Sequence, residues 1–484
     1  MNIRDSLLKN TKYKIVDCND TYSSQDIRDQ IVILQKIIDT NSRNVIGNHC
    51  ENNISWVVCD LFCIDSRYIS VPIPKYFSDS QKNYVISKAK LSYIISDSIL
   101  SALIMDIILV DKIKLFTTIL YIYKYNRKEK LLDLHNYDIC KITFSSGTTG
   151  EPKGVLIRES SLIKVLSTLN NFSINQNLRS HLCVLPLSIL LENIAGLYLS
   201  IITNNDIVLI NQNEIGFENL SDFDVNRFFN STNIYNCSSI ILVPEMLKKI
   251  VNFDISILKK YKTIAVGGAP IDKETLDMCL LHNIKIFSGY GLSESTSVVS
   301  INDNFCEENK YSSGKVLQHI ETKINNGQIF VKGSNMAGYI DDTPLLDEEY
   351  IATGDLGYID ANNNLYITGR KSNYFVTSYG KNIEYAWIEN EMKRISSIPE
   401  VYVLGDNMPY ISCIIFSDNI NVKIHLKELN KILPKYAEIK ILHNYSIRST
   451  LYKTISLILN IYEKREYLKR HIINNQEEIS NEIQ

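Results

Sequence analysis

Short β-branched segments recur along the chain between stretches of helical character, and this alternation constrains the fold more than any other feature. Strands that alternate with helices are joined by crossover connections, which favour parallel sheets. We predict strands at residues 56–58, 69–71, 93–95, 182–185, 207–210, 240–243, 263–266 and 284–287. The alternation therefore predicts an α/β fold with large, mainly parallel sheets.

The 484 residues of the chain exceed what one hydrophobic core accommodates, so at least two domains are expected. Residues 26–38 are predicted to form an early helix, because their apolar side chains recur on one face. From about residue 310 the pattern changes to short strands and turns, which indicates a β-rich subdomain at residues 310–369. We therefore predict a large N-terminal domain of parallel sheets with helices, which ends with this subdomain at residue 369.

A second alternation begins after residue 369 and indicates a small C-terminal domain. It consists of a predicted helix at residues 384–395, a strand pair around 401–404 and 411–416, and a helix-rich tail. We predict an α+β domain at residues 370–484, and we expect its polar last dozen residues to fray.

Composition excludes several classes of protein. The formal net charge of −3 disfavours a nucleic-acid-binding module. The apolar run at 100–110 is interrupted by Ser101 and Asp106 and is shorter than a membrane span, and the N-terminal residues lack an apolar signal-peptide core.

Ten cysteines without a C-x-x-C pair favour free thiols and a cytoplasmic location. The loose cluster of His49, Cys50, Cys59 and Cys63 fits no zinc spacing, so no such site is expected.

The segment TFSSGTTGEPKGV, residues 143–155, combines five hydroxyl side chains, three glycines and Lys153. Backbone amides and hydroxyls in such a turn can surround phosphate oxygens, and the lysine adds a positive charge. The Walker pattern G-x-x-x-x-G-K-[S/T] is absent from the chain. A flexible linker is the alternative, but Pro152–Lys153–Gly154 and the apolar residues that follow disfavour it. The segment therefore predicts a phosphate-binding loop of another kind.

Further motifs follow this loop in a fixed order. They are GGAP at 267–270, SGYGLSES at 288–295, SSGKV at 312–316, GQIFVKG at 327–333, TGDLGYID at 353–360 and GRKSNYFVTSYGKNIEYAWIE at 369–389. Together with SSGTTGEPKG they resemble the AMP-forming acyl- and aryl-CoA synthetases, luciferases and nonribosomal adenylation domains. The resemblance extends from about residue 20 to 470. It implies ATP-dependent activation of a carboxylate through an acyl-AMP, with transfer to a thiol. Within this group of enzymes, the motifs are most similar to those of the fatty acyl-CoA ligases.

The resemblance also implies roles for individual residues. It assigns nucleotide binding to Ser145, Ser146, Gly147, Thr148, Thr149, Lys153, Gly268, Ala269, Pro270, Tyr290, Gly291, Ser293, Asp355 and Arg370. Glu294 would hold Mg²⁺, because a carboxylate beside triphosphate oxygens requires a bridging cation. The two oxygens of Asp355 suit the ribose diol. Lys371 falls at the hinge about which the small C-terminal domain would be mobile.

Single residues among these also admit ordinary structural interpretations. Glu294 could stabilise a helix N-terminus, and Asp355 could cap a turn. Arg370 could form a salt bridge at the domain boundary, and Tyr290 could belong to the core. The ordered set of motifs, rather than any one residue, carries the functional prediction.

The sequence departs from the family pattern at two places, in the segment before the pocket for the carboxylic acid substrate and around the catalytic lysine. Ile189, in LPLSILLEN at 185–193, stands where the family usually has histidine, while Glu192 matches an acid of the long-chain fatty acyl branch. The predicted catalytic residues are Lys453, Glu294 and Lys153. Lys453 would stabilise transition-state charge, but its context RSTLYKTIS lacks the usual glycine, and Lys464 and Lys469 are alternatives.

The resemblance implies ATP and Mg²⁺ as cofactors, with a small-molecule carboxylic acid as substrate. The acceptor would be coenzyme A, or a phosphopantetheine thiol on an acyl carrier protein, with residues 378–382 facing the thiol channel. We expect a monomer or homodimer. An acyl-[acyl carrier protein] synthetase and a nucleotide-binding pseudoenzyme remain open, the latter because of the context of Lys453.

Overall fold

The computed structural model of the protein describes residues 3–9, 11–17, 20–38, 44–125, 137–145, 152–174, 176, 178–219, 222–340, 349–370, 374–385, 388–389, 392, 400–417, 426–427, 429–431, 433, 435–446, 448–457 and 461–474. Two compact units are present, one of residues 1–145, 152–218 and 222–371, the other of residues 146–151, 219–221 and 372–484. Each has hydrophobic clusters of its own. The predicted hinge, Lys371, lies outside the described residues, so the boundary at residue 369 stays a prediction.

The helices of the described residues alternate with strands through most of the first unit. They are α1 Ile3–Leu8, α2 Ser24–Ile37, α3 Ile54–Asp65, α4 Asp79–Lys88, α5 Glu159–Ile174, α6 Leu199–Ile202, α7 Val225–Thr232, α8 Pro244–Asp254, α9 Lys273–Leu281, α10 Thr450–Ser456 and α11 Ile461–Asn474. A π-helix spans Glu192–Tyr198, and short 3₁₀ segments span Ile255–Lys260, Ser293–Ser295 and Lys435–Ala437. None of the described helices is long and apolar enough to cross a bilayer.

The strands of the described residues are two to nine residues long. They are β1 Lys14–Asp17, β2 Asp20–Ser23, β3 Val45–His49, β4 Ile69–Pro72, β5 Tyr93–Ser96, β6 Ile107–Leu115, β7 Thr118–Tyr125, β8 Ile139–Ser145, β9 Lys153–Arg158, β10 Ser180–Cys183, β11 Asp206–Leu209, β12 Phe217–Asn219, β13 Asp222–Phe223, β14 Ser239–Leu242, β15 Thr263–Val266, β16 Ile286–Tyr290, β17 Ser300–Asn302, β18 Lys315–Val316, β19 Ile320–Asn325, β20 Gln328–Gly333, β21 Gly338–Tyr339, β22 Ile351–Ile359, β23 Leu365–Arg370, β24 Tyr374–Val376, β25 Asn382–Glu384, β26 Glu400–Leu404, β27 Ile411–Phe416 and β28 Ile439–Tyr445.

Two large mixed sheets form the framework of the first unit. The nine-stranded sheet has the order β18-β17-β16-β15-β14-β10-β11-β1-β2, and its strands from β16 to β1 are all parallel. The eight-stranded sheet has the order β21-β9-β8-β4-β3-β5-β7-β6, with a parallel centre from β8 to β5. The predicted α/β fold with parallel sheets is therefore confirmed.

Most of the predicted secondary structure agrees with the observed elements. Seven of the eight predicted strands overlap observed ones, and the predicted early helix corresponds to α2. That helix begins with a capping box, in which the Ser23 hydroxyl accepts from the Asp26 amide and the Asp26 carboxylate accepts from the Ser23 amide. Such a box satisfies amides that the first helical turn leaves unpaired.

The strand predicted at residues 56–58 is wrong, because these residues lie inside α3. Trp56, Val57 and Val58 belong to a run that is buried on nearly every face between Ile54 and Ile64. A short, wholly apolar run has no periodicity that separates a buried strand from a buried helix. The start of the helix depends on Asn53, whose side chain accepts a hydrogen bond from the Trp56 amide.

The β-rich part of the first unit is a four-stranded antiparallel sheet of order β19-β20-β22-β23. The second unit contains a three-stranded sheet of order β26-β27-β28, in which the predicted pair β26 and β27 is antiparallel. Of the helix predicted at 384–395, Glu384 instead ends β25, residues 385, 388–389 and 392 are helical, and the others lie outside the described residues.

His49, at the end of β3, is a buried titratable group of the eight-stranded sheet. Its Nδ1 lies 3.0 Å from Ser96 Oγ, and only 4% of the residue is exposed. Burial, with smaller contributions from Lys75 and Lys82, lowers the pKa of His49 to about 2. The folded protein therefore keeps this ring neutral at pH values where the unfolded chain would protonate it.

We predict that His49 makes the first unit sensitive to acid. Because its folded pKa is lowered, its stabilising contribution is complete above the unfolded pKa of about 6.5 and falls on acidification, by about tenfold in the unfolding equilibrium per pH unit. The change His49→Gln should flatten this part of the decline in urea midpoints between about pH 6.5 and 4. Ser96→Ala, which removes a partner but no titrating group, should keep the steep decline. Parallel acid profiles for His49→Gln and wild type would contradict the prediction.

Candidate functional site

The parallel strands of the nine-stranded sheet bring several predicted motifs to one edge. LPLSILLEN follows β10, GGAP follows β15, and YGLSES spans the end of β16. Because β10, β14, β15 and β16 are parallel, their carboxyl ends lie on the same side of the sheet. In open α/β sheets ligands bind outside the carboxyl ends of the strands. This edge is therefore the candidate site.

Tyr339 joins the two charged residues that the sequence predicts for phosphate and metal binding. Its hydroxyl donates a hydrogen bond of 2.8 Å to Oε1 of Glu294. The ammonium of Lys153 lies 5.6 Å from the centre of the same ring. Pairing of β21 with β9, with Tyr339 opposite Val155, places the ring beside the start of β9. Lys153 and Glu294 are thus brought together although 141 residues separate them.

The fit of Mg²⁺ depends on the donor set at Glu294. This side chain is partly exposed, and the neighbouring Tyr339 hydroxyl donates to one of its oxygens. Carboxylate oxygens are hard ligands of the type that Mg²⁺ prefers, usually in combination with phosphate oxygens and water. Glu294 therefore suits the ion.

A second tyrosine–carboxylate contact lies at the end of β16. The Tyr290 hydroxyl donates a hydrogen bond of 2.5 Å to Oδ2 of Asp355 in β22. The Asp355 backbone amide donates to Thr353 Oγ1 at 3.0 Å, and Asp355 itself is 2% exposed. Two of the predicted nucleotide-binding residues are therefore in direct contact, and the antiparallel sheet supplies one of them.

The backbone that follows β16 is tightly constrained. Thr296 and Ser297 have φ values of +54° and +95°, in the region that side chains rarely adopt. Such residues cost about 1–3 kcal/mol each and persist only where the surroundings hold them. The Thr296 hydroxyl donates to the Ser334 carbonyl at 2.8 Å. A Cβ on Gly291 would collide with the carbonyl oxygen of Ser297, so glycine is required for this close approach.

The remaining predicted nucleotide-binding residues are placed only in part. Gly268 is exposed with φ +90°, Ala269 and Pro270 continue its turn, and Ser293 begins a 3₁₀ segment. Ser145 ends β8 opposite Lys153, and Arg370 ends β23 opposite Asp355. The predicted residues Ser146, Gly147, Thr148, Thr149 and the hinge Lys371 lie outside the described residues.

The predicted catalytic lysine, Lys453, belongs to the second unit. It is exposed on α10, whose first turn is capped by the Ser449 side chain, and Tyr452 occupies the position before it. Helical backbone here is consistent with the missing glycine of the family pattern. The catalytic role of Lys453 stays a prediction.

Glu192, which the sequence matches to an acid of the fatty acyl branch, is wholly buried. Its Oε1 lies 2.7 Å from His181 Nε2, and its Oε2 accepts from the Leu185 amide at 3.0 Å. Cys183 is close enough to make a three-residue candidate metal group with them, the ligand atoms lying within 4.8 Å of one another. Burial, reinforced by Glu192, raises the pKa of the Cys183 thiol, which disfavours the thiolate that metals bind. The pairing of His181 with Glu192 instead makes this group a satisfied polar contact of the core.

Sequence motifs did not identify Tyr339 as part of the site. It lies in a two-residue strand outside every quoted motif, and its contact with Glu294 exists only in the tertiary structure. The π-helix Glu192–Tyr198 was missed as well. A π-turn has no composition that distinguishes it from an α-helix, so no sequence signal could have found it.

Comparison with known proteins identifies the family. A sequence model of the AMP-binding enzyme family matches residues 33–340. Peroxisomal OPC-8:0-CoA ligase 1 of Arabidopsis thaliana is 28% identical over 260 residues, which cover 48% of this chain and 46% of the ligase. The 2-succinylbenzoate–CoA ligase of Listeria monocytogenes is 26% identical over 287 residues, which cover 56% and 58%. The chain spans about half the length of the curated relatives it matches.

Solved structures show the same fold. O-succinylbenzoate CoA synthetase of Bacillus subtilis, bound to a product analogue, superposes with a TM-score of 0.70 at 19% identity and covers 91% of this chain and 93% of that one. The amide bond synthetase McbA of Marinactinospora thermotolerans gives 0.72 at 15% identity, with 92% and 96% covered. The family match over more than half of the residues shows that the chain belongs to the AMP-binding enzymes.

The collision at Gly291 gives a test of the constrained backbone. Gly291→Ala should displace the turn at Thr296 and Ser297 and cost about 1–3 kcal/mol of stability. The matched control is Gly289→Ala, whose Cβ would lie 3.3 Å from the Ser300 carbonyl oxygen and should cost much less. Scanning calorimetry of both variants measures the difference. Equal melting temperatures for the two variants would show that the turn can move freely.

Proposed function

We propose that the protein is an AMP-forming acid–thiol ligase, in which a carboxylate attacks the α-phosphate of ATP to give an acyl-AMP and pyrophosphate. The observation that carries the proposal is a pair of tyrosine–carboxylate contacts, Tyr339 with Glu294 beside Lys153, and Tyr290 with Asp355. The ammonium of Lys153 suits phosphate oxygens, the carboxylate of Glu294 suits a metal ion, and the carboxylate of Asp355 suits the ribose diol. Together they match the parts of a nucleoside triphosphate with its metal ion.

The candidate site would hold ATP and leave the α-phosphate open to attack. Lys153 and the loop from Ser145 to Thr149 would bind the β- and γ-phosphates, and Asp355 would accept hydrogen bonds from the ribose. When bound at Glu294, Mg²⁺ would neutralise phosphate charge and favour loss of pyrophosphate. Placing the two reactants correctly accounts for much of the catalysis in phosphoryl transfer.

The second step would transfer the acyl group to a thiol with release of AMP. We propose that the second unit rotates about Lys371 between the two steps, and that Lys453 stabilises negative charge in the first step. The segment at residues 378–382 would face the entering thiol. Coenzyme A is our first assignment for the thiol, since the relatives are named as CoA ligases. A phosphopantetheine arm of a carrier protein is the alternative acceptor.

The carboxylic acid substrate is assigned from the segment that follows β10. Relatives named for 2-succinylbenzoate and for OPC-8:0 do not agree on one substrate. Ile189 replaces the usual histidine, and the adjacent Leu190 is buried. A δ-methyl of Leu191 lies 3.4 Å from the position that a Cβ on Gly267 would take. These aliphatic side chains support an apolar acid, and we assign a fatty acid first.

A cytoplasmic location completes the proposal. The nine cysteines among the described residues are free thiols, and most are buried. Free thiols are typical of reducing compartments.

A pseudoenzyme that binds ATP without reaction is the second candidate function, because the sequence around Lys453 lacks the glycine of the family pattern.

The reaction is tested by measuring acid-dependent release of pyrophosphate and formation of AMP with aliphatic and aromatic carboxylic acids. We expect both products with at least one apolar acid in the presence of Mg²⁺, and a thioester when coenzyme A is added. Repeating the assay with a holo-carrier protein separates the two acceptors. ATP binding without pyrophosphate release for any acid in the series would favour the pseudoenzyme.

Lys153→Ala should raise the KM for ATP by about tenfold or more, because a charge-assisted contact to phosphate is lost. The matched control is Lys323→Ala, since Lys323 is also an exposed lysine above a tyrosine, 4.1 Å from the centre of the Tyr350 ring. The control should keep the wild-type KM, and both variants should retain wild-type melting temperatures. Steady-state kinetics measures the effect. Equal KM values in the two variants would remove Lys153 from the site.

A further inference from the structure

The π-helix Glu192–Tyr198 directly follows the segment assigned to the acid. Leu191, the residue before it, lies beside Gly267 at the carboxyl end of β15. Any shift of the first π-turn would therefore move Leu191 relative to the candidate site. The π-helix is rare in proteins and is often found at functional sites.

One end of the π-helix is fixed to the nine-stranded sheet. Glu192 contacts His181 of β10 at 2.7 Å and accepts from the Leu185 amide at 3.0 Å. His181 Nδ1 in turn lies 2.9 Å from Ser239 Oγ on β14. Glu192 therefore ties the start of the π-helix to two parallel strands and to the segment that precedes it.

The eight-stranded sheet contacts the π-helix through a buried ion pair. Lys141 of β8 lies 2.7 Å from Asp60 of α3 and donates to Asn193 Oδ1 at 2.7 Å. Asp60 Oδ2 accepts from Asn193 Nδ2 at 3.1 Å and from the Tyr198 hydroxyl at 2.5 Å. The Ser70 hydroxyl also donates to Asp60, at 2.6 Å. The Asp60–Lys141 pair thus holds two residues of the π-helix at once.

The spacing of these two residues matches π-helical geometry. Asn193 and Tyr198 are five positions apart. In an α-helix of 3.6 residues per turn their side chains would point about 140° apart. With the i→i+5 bonds of a π-helix, residues five apart lie near one face. Asp60 can accept from both side chains because this segment is π-helical.

The Asp60–Lys141 pair is poorly explained by stability alone. Lys141 is 2% exposed and Asp60 is wholly buried. Burial opposes the ionised form of Asp60, but Lys141 and the hydroxyl donors outweigh it and hold the pKa of Asp60 below its usual range. Apolar replacement of a buried pair is often neutral or stabilising, and the best-attested use of such a pair is to fix register.

We propose that Asp60 and Lys141 are positioning residues that hold residues 192–198 in the π-helical form, and that they thereby set which carboxylic acids the site accepts. The part about acid selectivity rests on the proposed function. Lys141 precedes Ser145 on β8 by four residues. The same strand therefore leads to the phosphate loop while its buried lysine fixes the segment assigned to the acid.

The test is the double variant Asp60→Leu with Lys141→Met, which removes both charges and so avoids a lone buried ion. We expect it to fold, to exchange the amides of residues 192–198 faster, and to change the ratio of kcat/KM between a short and a long aliphatic acid by about tenfold or more. The KM for ATP should stay within about twofold of wild type. Amide exchange with mass spectrometry and steady-state kinetics provide the two readouts.

A control and a single variant separate the possible outcomes. Lys310→Met removes another lysine of low exposure, whose partners Asp277 and Glu307 are not part of the π-helix, and should change neither readout. The single variant Lys141→Met leaves Asp60 uncompensated and should melt earlier than the double variant. Unchanged amide exchange in a folded double variant overturns the inference, even if the protein activates no acid. Faster amide exchange with an unchanged ratio of kcat/KM between the two acids overturns the claim that the ion pair sets acid selectivity. A wild-type protein that activates no acid overturns the proposed function.

Discussion

Parallel strand pairing is the constraint on which the candidate site depends. From β16 to β1 the nine-stranded sheet is parallel, so the segments after β10, β14, β15 and β16 meet at one edge. The antiparallel β-rich sheet then supplies Asp355 to Tyr290, and the short strand β21 supplies Tyr339 to Glu294. Two tyrosine hydroxyls thus orient two carboxylates, and an oriented acceptor loses less freedom when a ligand binds.

The π-helix connects this edge with the other large sheet. Its polar residues contact His181 on one side and the Asp60–Lys141 pair on the other, and all of these groups are buried. A buried charge without a partner would be costly, so the partners must stay together in the folded state. The segment beside Gly267 is therefore held by both sheets, which makes its position a property of the whole first unit.

The sequence predicted the alternating strands and helices of this architecture. It did not predict the elements and side-chain contacts that depend on tertiary packing. Alternating segments such as β15 have a period that is visible in the chain, whereas the wholly apolar α3 has none and was taken for a strand. Glu294, Asp355 and Lys153 could be predicted as site residues because they lie in ordered motifs. Tyr339 and Lys141 were not found, because their partners Glu294 and Asp60 are distant in sequence and only tertiary packing brings them close.

Transfer of oxygen from acid to nucleotide tests the central claim most directly. If a carboxylate attacks the α-phosphate and a thiol then cleaves the acyl carbon–oxygen bond, one carboxylate oxygen stays on AMP. A substrate acid labelled with ¹⁸O in its carboxyl group should therefore give AMP that carries one ¹⁸O atom, detected by mass spectrometry. Unlabelled AMP, or ADP with the label in inorganic phosphate, would contradict the account.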